Sequence, residues 1–382
     1  MKKDAVIERA VAAHIENFGK EPESVAWAPG RIEVLGNHTD YNDGTVLSAA
    51  IDWGHCFCIS RSSRCGIHLF AVDVDEVVRF ETGDTEKVAG TSWANYIKGV
   101  FHYIQEHLEQ SISGLDCTFF GSIPMGAGLS SSAALEVAAA YAVLKILNTT
   151  IDKKEIARLC RKAEHQFAGT NCGLLDQFSS IFGREHGLIH SDFRTLEVRD
   201  VNLAPDIAFL VINPHVKHSL ADSPYNERRE RCEQAAAQLA EILPHPVTAL
   251  RDVSRQEFEQ NRNLIGPRAA QRAAHIVGEI DRVETGVELL RVGDIEAFGK
   301  LLFESHRSSI ENFENSCPEL DIVVEAAREA GALGARLSGG GFGGSAIAMV
   351  LSSEAKRIGE KIKMLCKIKG LQPEILDIIP SA

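Results

Sequence analysis

No stretch of this chain is long and apolar enough to read as a membrane span. The longest apolar run, Ala133 to Leu147, is interrupted by Glu136 and Lys145 and falls short of the ~20 residues a crossing needs. No basic tract stands out, and 53 acidic against 40 basic residues leave a net charge of −13, which argues against non-specific nucleic-acid binding. The opening residues, Met1-Lys2-Lys3-Asp4-Ala5-Val6-Ile7-Glu8-Arg9, carry charges where a secretory leader has an apolar core. Nine cysteines, odd in number and scattered, do not suggest a disulfide framework and suit a reducing compartment. Cys56 and Cys58 form a C-x-C within a predicted strand and are expected on opposite faces, not as joint metal ligands. Internal repeats and low-complexity linkers are also missing. These absences lead to the expectation of a soluble, cytoplasmic protein with no nucleic-acid or membrane partner. At 382 residues, 45% apolar and 24% charged, the chain is long enough for two domains or two lobes around one cleft.

What is present centres on Pro124-Met125-Gly126-Ala127-Gly128-Leu129-Ser130-Ser131-Ser132, running directly into Ala133-Ala134-Leu135-Glu136-Val137-Ala138. Glycines let backbone N–H groups approach a ligand closely. The helix that follows leaves its first N–H groups unpaired, at the positive end of its dipole. Three hydroxyls beside such an anion site suit phosphate oxygens and a divalent metal. A capped, buried helix is the ordinary alternative, since serine is a common N-cap. No Gly-Lys-Ser/Thr follows, so this is not a Walker A loop.

The rest of the chain mixes strands and helices without regular alternation, which predicts an α+β fold. Residues 4–18 read as a helix with Ile7, Val11, Ile15 and Phe18 on one face and Gly19 as its stop. Strands are expected at 46–51, 55–60, within 66–82, and at 115–120, 187–192, 207–213 and 346–351. Helices are expected at 93–107, after the serine run, and at 153–167, 226–243, 269–292, 294–312, 319–331 and 354–369. The helix after the serines is apolar on nearly every side and should be buried at the centre of its lobe. Asn42-Asp43-Gly44 signals a turn needing positive φ. The soft boundary falls near residue 200, giving an N-terminal lobe of 1–200 and a C-terminal lobe of 201–382.

Polar, glycine-rich clusters at 29–44, 93–96, 124–132, 169–177 and 334–345 are the places where chemistry is expected. Phosphoryl transfer needs a phosphate cradle, a metal ligand, a cation and a base for the acceptor hydroxyl. Ser131, Ser132, Glu164, Arg31 and Asp176 are residue types suited to those tasks. Singly, each has an ordinary structural explanation: a helix cap, a salt bridge or a solvated helical glutamate.

As a set, the motifs resemble the GHMP kinase superfamily and, within it, the galactokinase family. Pro29-Gly30-Arg31 through Gly36-Asn37-His38-Thr39-Asp40-Tyr41-Asn42 resembles that family's P-G-R-x-N-L-I-G-E-H-T-D-Y-N. The serine-rich stretch is the second motif, and Leu337-Ser338-Gly339-Gly340-Gly341-Phe342-Gly343-Gly344 the third. Trp93 to Val100, Cys172 to Phe178, Tyr225 to Arg229, Glu304 to Ser308 and Ser316 to Asp321 extend the likeness over nearly the whole chain. The resemblance implies a two-lobed GHMP kinase fold with its site in the cleft, acting on galactose with ATP and Mg²⁺, as a monomer. It implies Asp176 as base for the sugar C1 hydroxyl, Arg31 beside it, and Ser132 and Glu164 as metal ligands. Trp93 and Tyr96 would lie near adenine, with Gly126, Gly128, Ser130, Ser131 and Lys217 at the phosphates. Asn37, His38, Asp40, Gly173 and Tyr225 would contact the sugar.

The chain also departs from the pattern. Asn37 stands where the family has Glu, Glu33 where it has Asn, Ser48 where it has Pro, and Asn171 where Pro precedes Cys-Gly. Asn at 37 accepts without charge and also donates, which bears on sugar choice. Galacturonate, L-arabinose and N-acetylgalactosamine therefore stand as alternative substrates, and a non-catalytic galactose sensor as an alternative role.

Overall fold

The structure is a computed structural model and describes residues 3–124, 126–184, 187–216 and 225–378. These form two compact units. The first comprises residues 1–31, 51–125 and 130–182, the second 32–50, 126–129 and 183–382.

In the first unit, α1 (Lys3–Phe18) leads into β1 (Ser24–Leu35), which continues into the second unit. After a 3₁₀ turn at Asp40–Asn42, β2 (Thr45–Arg61) brings the chain back. It is one strand where the sequence pattern suggests two, because Asp52-Trp53-Gly54 interrupts the apolar pattern without interrupting the backbone. β3 (Ile67–Ala71), β4 (Glu76–Phe80) and β5 (Leu115–Gly121) complete this end of the sheet in the order β4-β3-β5-β2. The β3/β5 pair is parallel, and β2 and β5 run antiparallel from His55↔Gly121 to Arg61↔Leu115. Cys56 and Cys58 lie on the same face, not opposite ones, since residues two apart in a strand share a face. Their sulfurs are 4.0 Å apart in an apolar cluster with Val6 and Ala10 of α1.

Helices α2 (Ser92–Leu108), α3 (Ser131–Ile146), α4 (Lys153–Ala163) and α5 (Leu175–Phe182) fill out the unit. α3 is Ala- and Leu-rich, buried on almost all sides, and includes a fully buried Glu136. α4 starts on Asp152, whose carboxylate accepts from the Lys154 and Glu155 N–H groups. It ends in a π-turn, Glu164–Ala168, closed by Gly169 at φ +90°. Such widened turns inside helices recur at functional sites.

In the second unit, the first half of β2 pairs with β6 (Gly187–Asp192), which pairs with β7 (Glu197–Asn202). A separate antiparallel sheet is built from β8 (Ile207–Asn213) and later strands: five helices, α6 (Tyr225–Ala240), α7 (Arg255–Asn261), α8 (Pro267–Val292), α9 (Ile295–Ser308) and α10 (Pro318–Ala330), precede β9 (Gly334–Ser338) and β10 (Ser345–Leu351). α11 (Ala355–Ile368) and β11 (Glu374–Ile378) follow, giving the order β11-β8-β10-β9. α10 and α11 pack on this sheet through Leu320, Val323, Ile358 and Ile362. The glycine cluster 339–344 is the β9–β10 connection, with Ser338 and Ser345 paired at its base. The helix expected over 294–312 is α9 followed by a π-turn, Ser309–Phe313. Asp43 adopts φ +57°, as the Asn-Asp-Gly turn requires.

Candidate active site

In the first unit the sites begin with an ion pair. Arg31, near the end of β1, is almost fully buried. Its Nε and Nη2 both donate to Asp176 Oδ1, at 2.9 and 2.8 Å. Asp176 sits in the first turn of α5, where a carboxylate is favoured by the helix dipole. Its side chain keeps 23% of its surface exposed, so it can meet both its cation and a reactant. Gly173 is buried in the loop leading into this turn.

Beside the pair lies a sealed acidic group. Glu164, which opens the π-turn, accepts from Ser132 Oγ (3.2 Å) at Oε1, and from Cys172 Sγ (3.2 Å) and Gln177 Nε2 (2.9 Å) at Oε2. Burial first, then the Asp176 charge, lifts its carboxyl to about pKa 7. Gln177 Nε2 also donates to Glu136 Oε2 at 3.1 Å, while Glu136 Oε1 has no hydrogen-bond partner among the described residues. Burial, reinforced by Glu164, pushes Glu136 well above the carboxylate range. Buried carboxylates this close call for a cation or a proton.

At the head of α3, Ser130 adopts φ +56°, and its buried hydroxyl has no hydrogen-bond partner among the described residues. Ser131 Oγ and His55 Nε2 are 2.8 Å apart. A strained serine with an unsatisfied hydroxyl at a helix N-terminus matches what an anion would complete. Ser132 and Glu164 offer the hard oxygen donors Mg²⁺ takes, one or two from protein and the rest from phosphates and water. The described residues contain no group of three or more His, Cys, Asp or Glu arranged to hold a metal ion. Trp93 and Tyr96 share α2. Trp93 packs on Phe119 with ring centroids 5.4 Å apart, and burial plus Glu164 and Glu136 raise the Tyr96 phenol.

In the second unit the loop 36–44 is tied to the β9–β10 hairpin. Gly36 needs to be glycine: its φ is +100°, and a Cβ would stand 2.6 Å from the Thr45 carbonyl oxygen. Asn37 is fully buried. Its Nδ2 donates to Glu33 Oε1 and to the Gly339 carbonyl, each at 2.8 Å, and its Oδ1 accepts from Asn315 Nδ2 at 2.9 Å. His38 Nε2 lies 2.9 Å from the Gly340 carbonyl and Nδ1 2.7 Å from Tyr41 Oη. A carbonyl only accepts, so Nε2 carries the hydrogen and the ring accepts from Tyr41. Burial lowers the His38 pKa to about 4, which keeps it neutral near pH 7. Its ring packs against Tyr225, at the start of α6, with centroids 5.0 Å apart. Asp40 is half-buried in the 3₁₀ turn. Gly126 and Gly128 flank Ala127, whose carbonyl accepts from Ser345 Oγ at 2.7 Å.

Comparison with known proteins places this geometry. Residues 12–61 match the galactokinase galactose-binding signature, 95–184 the GHMP kinases N terminal domain and 287–367 the GHMP kinases C terminal domain. Bos taurus galactokinase is 40% identical over 94% of this chain and 91% of its own length. Homo sapiens galactokinase is 40% identical over 92% and 89%. The chain belongs to the galactokinase family. The fold agrees: the crystal structure of Lactococcus lactis galactokinase complexed with galactose is 30% identical, covers 99% of each chain and superposes with a TM-score of 0.93.

Within this galactokinase chain, the structure groups Arg31, Asp176, Gly173, Ser132 and Glu164 in one unit and Asn37, His38, Asp40 and Tyr225 in the other. Lys217 lies outside the described residues. Sequence reasoning overlooked Glu136, Gln177, Glu279, Asn315 and Arg336. One signal was present for Glu136, a charge inside an otherwise apolar helix, where an acid is buried only with a partner. The others become visible only through contacts distant in sequence.

Proposed function

We propose that this chain transfers the γ-phosphoryl group of ATP to the C1 hydroxyl of galactose by direct in-line displacement, with Asp176 as the base. Membership of its family makes it an ATP-dependent galactose kinase. Asp176 takes the hydroxyl proton as the C1 oxygen attacks the γ-phosphorus and the bond to the β–γ bridging oxygen breaks. The products are galactose 1-phosphate and ADP. The observation that carries this reading is the Arg31–Asp176 pair, at 2.8 and 2.9 Å. A buried guanidinium orients the carboxylate and lies ready to offset charge on the transferring group.

Ser132 and Glu164 would hold Mg²⁺, which would supply charge neutralisation at the phosphates. Gly126, Gly128, Ser130, Ser131 and Lys217 serve the phosphates, and Trp93 and Tyr96 the adenine. Asn37, His38, Asp40, Gly173 and Tyr225 shape the sugar site. His38 works there as a positioned neutral ring, since both its nitrogens are engaged by Gly340 and Tyr41. No helix among the described residues is long and apolar enough to cross a membrane, and we place the enzyme in the cytoplasm as a monomer.

A coupled ADP-release assay over galactose, galacturonate, L-arabinose and N-acetylgalactosamine tests the substrate. Galactose should give the highest kcat/KM, and a tenfold advantage for another sugar would reassign it.

A further inference from the structure

Behind the loop 36–44 lies a group of four charges, three buried and the fourth, Arg282, partly exposed. Arg336 of β9 is wholly buried and donates from Nη2 to Glu33 Oε1 at 3.0 Å and from Nη1 to the Val34 carbonyl at 3.3 Å. Glu279 of α8 is also wholly buried. Its Oε2 accepts the Gly36 and Asn37 backbone N–H groups at 3.1 and 3.0 Å and lies 3.8 Å from Arg336 Nη1. Its Oε1 accepts from Arg282 Nε at 2.6 Å. Among the described residues, the two carboxylates of Glu33 and Glu279 thus face the two guanidiniums of Arg336 and Arg282, equal in number and opposite in charge. Burial keeps neighbouring His275 neutral, with its pKa lowered to about 3.

Asn37 Nδ2 and Arg336 Nη2 bind the same oxygen, Glu33 Oε1. Positions 33 and 37 are therefore in direct contact, one an acid and one its amide. They are also the two positions of the first motif where this chain carries Glu for Asn and Asn for Glu. We propose that Glu33 and Asn37 form one exchangeable pair. This buried group needs one carboxylate and one amide at the two positions, in either order, and the pair positions the sugar-motif loop.

Asn37→Glu alone would put a third carboxylate against two guanidiniums in a sealed site. Glu33→Asn alone would remove one of the two carboxylates that face Arg336 and Arg282. Either change strands one charge away from water, the costly way to alter a buried ion pair. Making both changes restores neutrality and leaves a carboxylate, now at 37, beside the hairpin. The Glu279 contacts to the Gly36 and Asn37 N–H groups hold the loop that carries Asn37, His38 and Asp40, so the pair acts on substrate through that loop.

A double-mutant cycle on the full chain tests this. Thermal unfolding of Glu33→Asn, Asn37→Glu and the double variant needs no substrate. Each single variant should lose roughly 5–10 °C in Tm, and the double should recover most of it. Glu33→Gln keeps the side chain's length and should also lose Tm, which separates charge from shape. The activity arm rests on the galactose-kinase reading. The KM for galactose should rise at least tenfold in each single variant with the KM for ATP unchanged, and return to within threefold in the double. Single variants that do not fold beside a double that does support the proposal. Losses that add in the double, a double that does not fold, or a single variant equal to the parent in Tm and KM overturn it. If the Tm cycle holds while the parent does not phosphorylate galactose, the pair stands and the substrate assignment fails.

Discussion

Asp176 has two neighbours with opposite demands. Arg31 pairs with its carboxylate, and the Glu164 carboxyl is lifted to about pKa 7, by burial first and then by the Asp176 charge. Asp176→Asn keeps an acceptor for Arg31 but removes the proton sink. We expect kcat to fall by roughly 10²–10⁴-fold, the usual worth of a general base, with ATP affinity by calorimetry within threefold of the parent. Retained turnover would mean another group takes the proton. Arg31 and Asp176 were legible in the sequence because Pro-Gly-Arg and Cys-Gly-Leu-Leu-Asp-Gln-Phe are local strings. Gln177, which joins Glu136 to Glu164, was not, because its meaning depends on two helices brought to it by folding.

At the scale of elements, most helices and strands follow from apolar periodicity and caps, and lie where the pattern puts them. The π-turns after α4 and α9 do not, because a widened turn keeps the same residue types and changes only which carbonyl each N–H meets. The β9–β10 connection shows the opposite case, where a string of glycines is plainly special but its reason is tertiary. Gly341 has φ +77°, and a Cβ there would stand 2.2 Å from the Asn315 carbonyl oxygen and 2.7 Å from its Nδ2. Asn315 in turn holds Asn37. Gly341→Ala should therefore cost at least about 2 kcal/mol, from left-handed backbone strain and overpacking together. Chemical denaturation would read this as a lower midpoint at unchanged m-value, and a midpoint matching the parent would show that the hairpin gives way freely.

For the whole molecule, acid sensitivity follows from buried histidines. His14, His38 and His55 are lowered to about pKa 4 and His275 to about 3, each chiefly by burial. Between pH 6.5 and about 4 the unfolded chain binds protons at these positions that the folded chain refuses, so stability falls as pH falls. Glu136, Glu164 and Asp73 work the other way, their carboxyls raised chiefly by burial, but burial lowers His68 and His306 as well. Scanning calorimetry should show Tm dropping steadily from pH 7 to pH 5, and a rise on acidification would contradict the burial of these rings as neutral groups.

The sequence by itself determined the α+β class, the buried α3 helix, the glycine-rich turns and the residue types for phosphoryl transfer, because each is carried by neighbours in the chain. Tertiary structure decided that residues 32–50 and 126–129 join the second unit, and that the Asn37 amide is bound by Glu33, Gly339 and Asn315. The serine-rich stretch shows both kinds of information at once. Its glycines and hydroxyls were readable, yet the pairing of Ser132 with Glu164, 32 residues further on, exists only because burial brings two helices together. Charge balance in a sealed interior depends on every group that shares it, and a linear pattern does not say which groups those are.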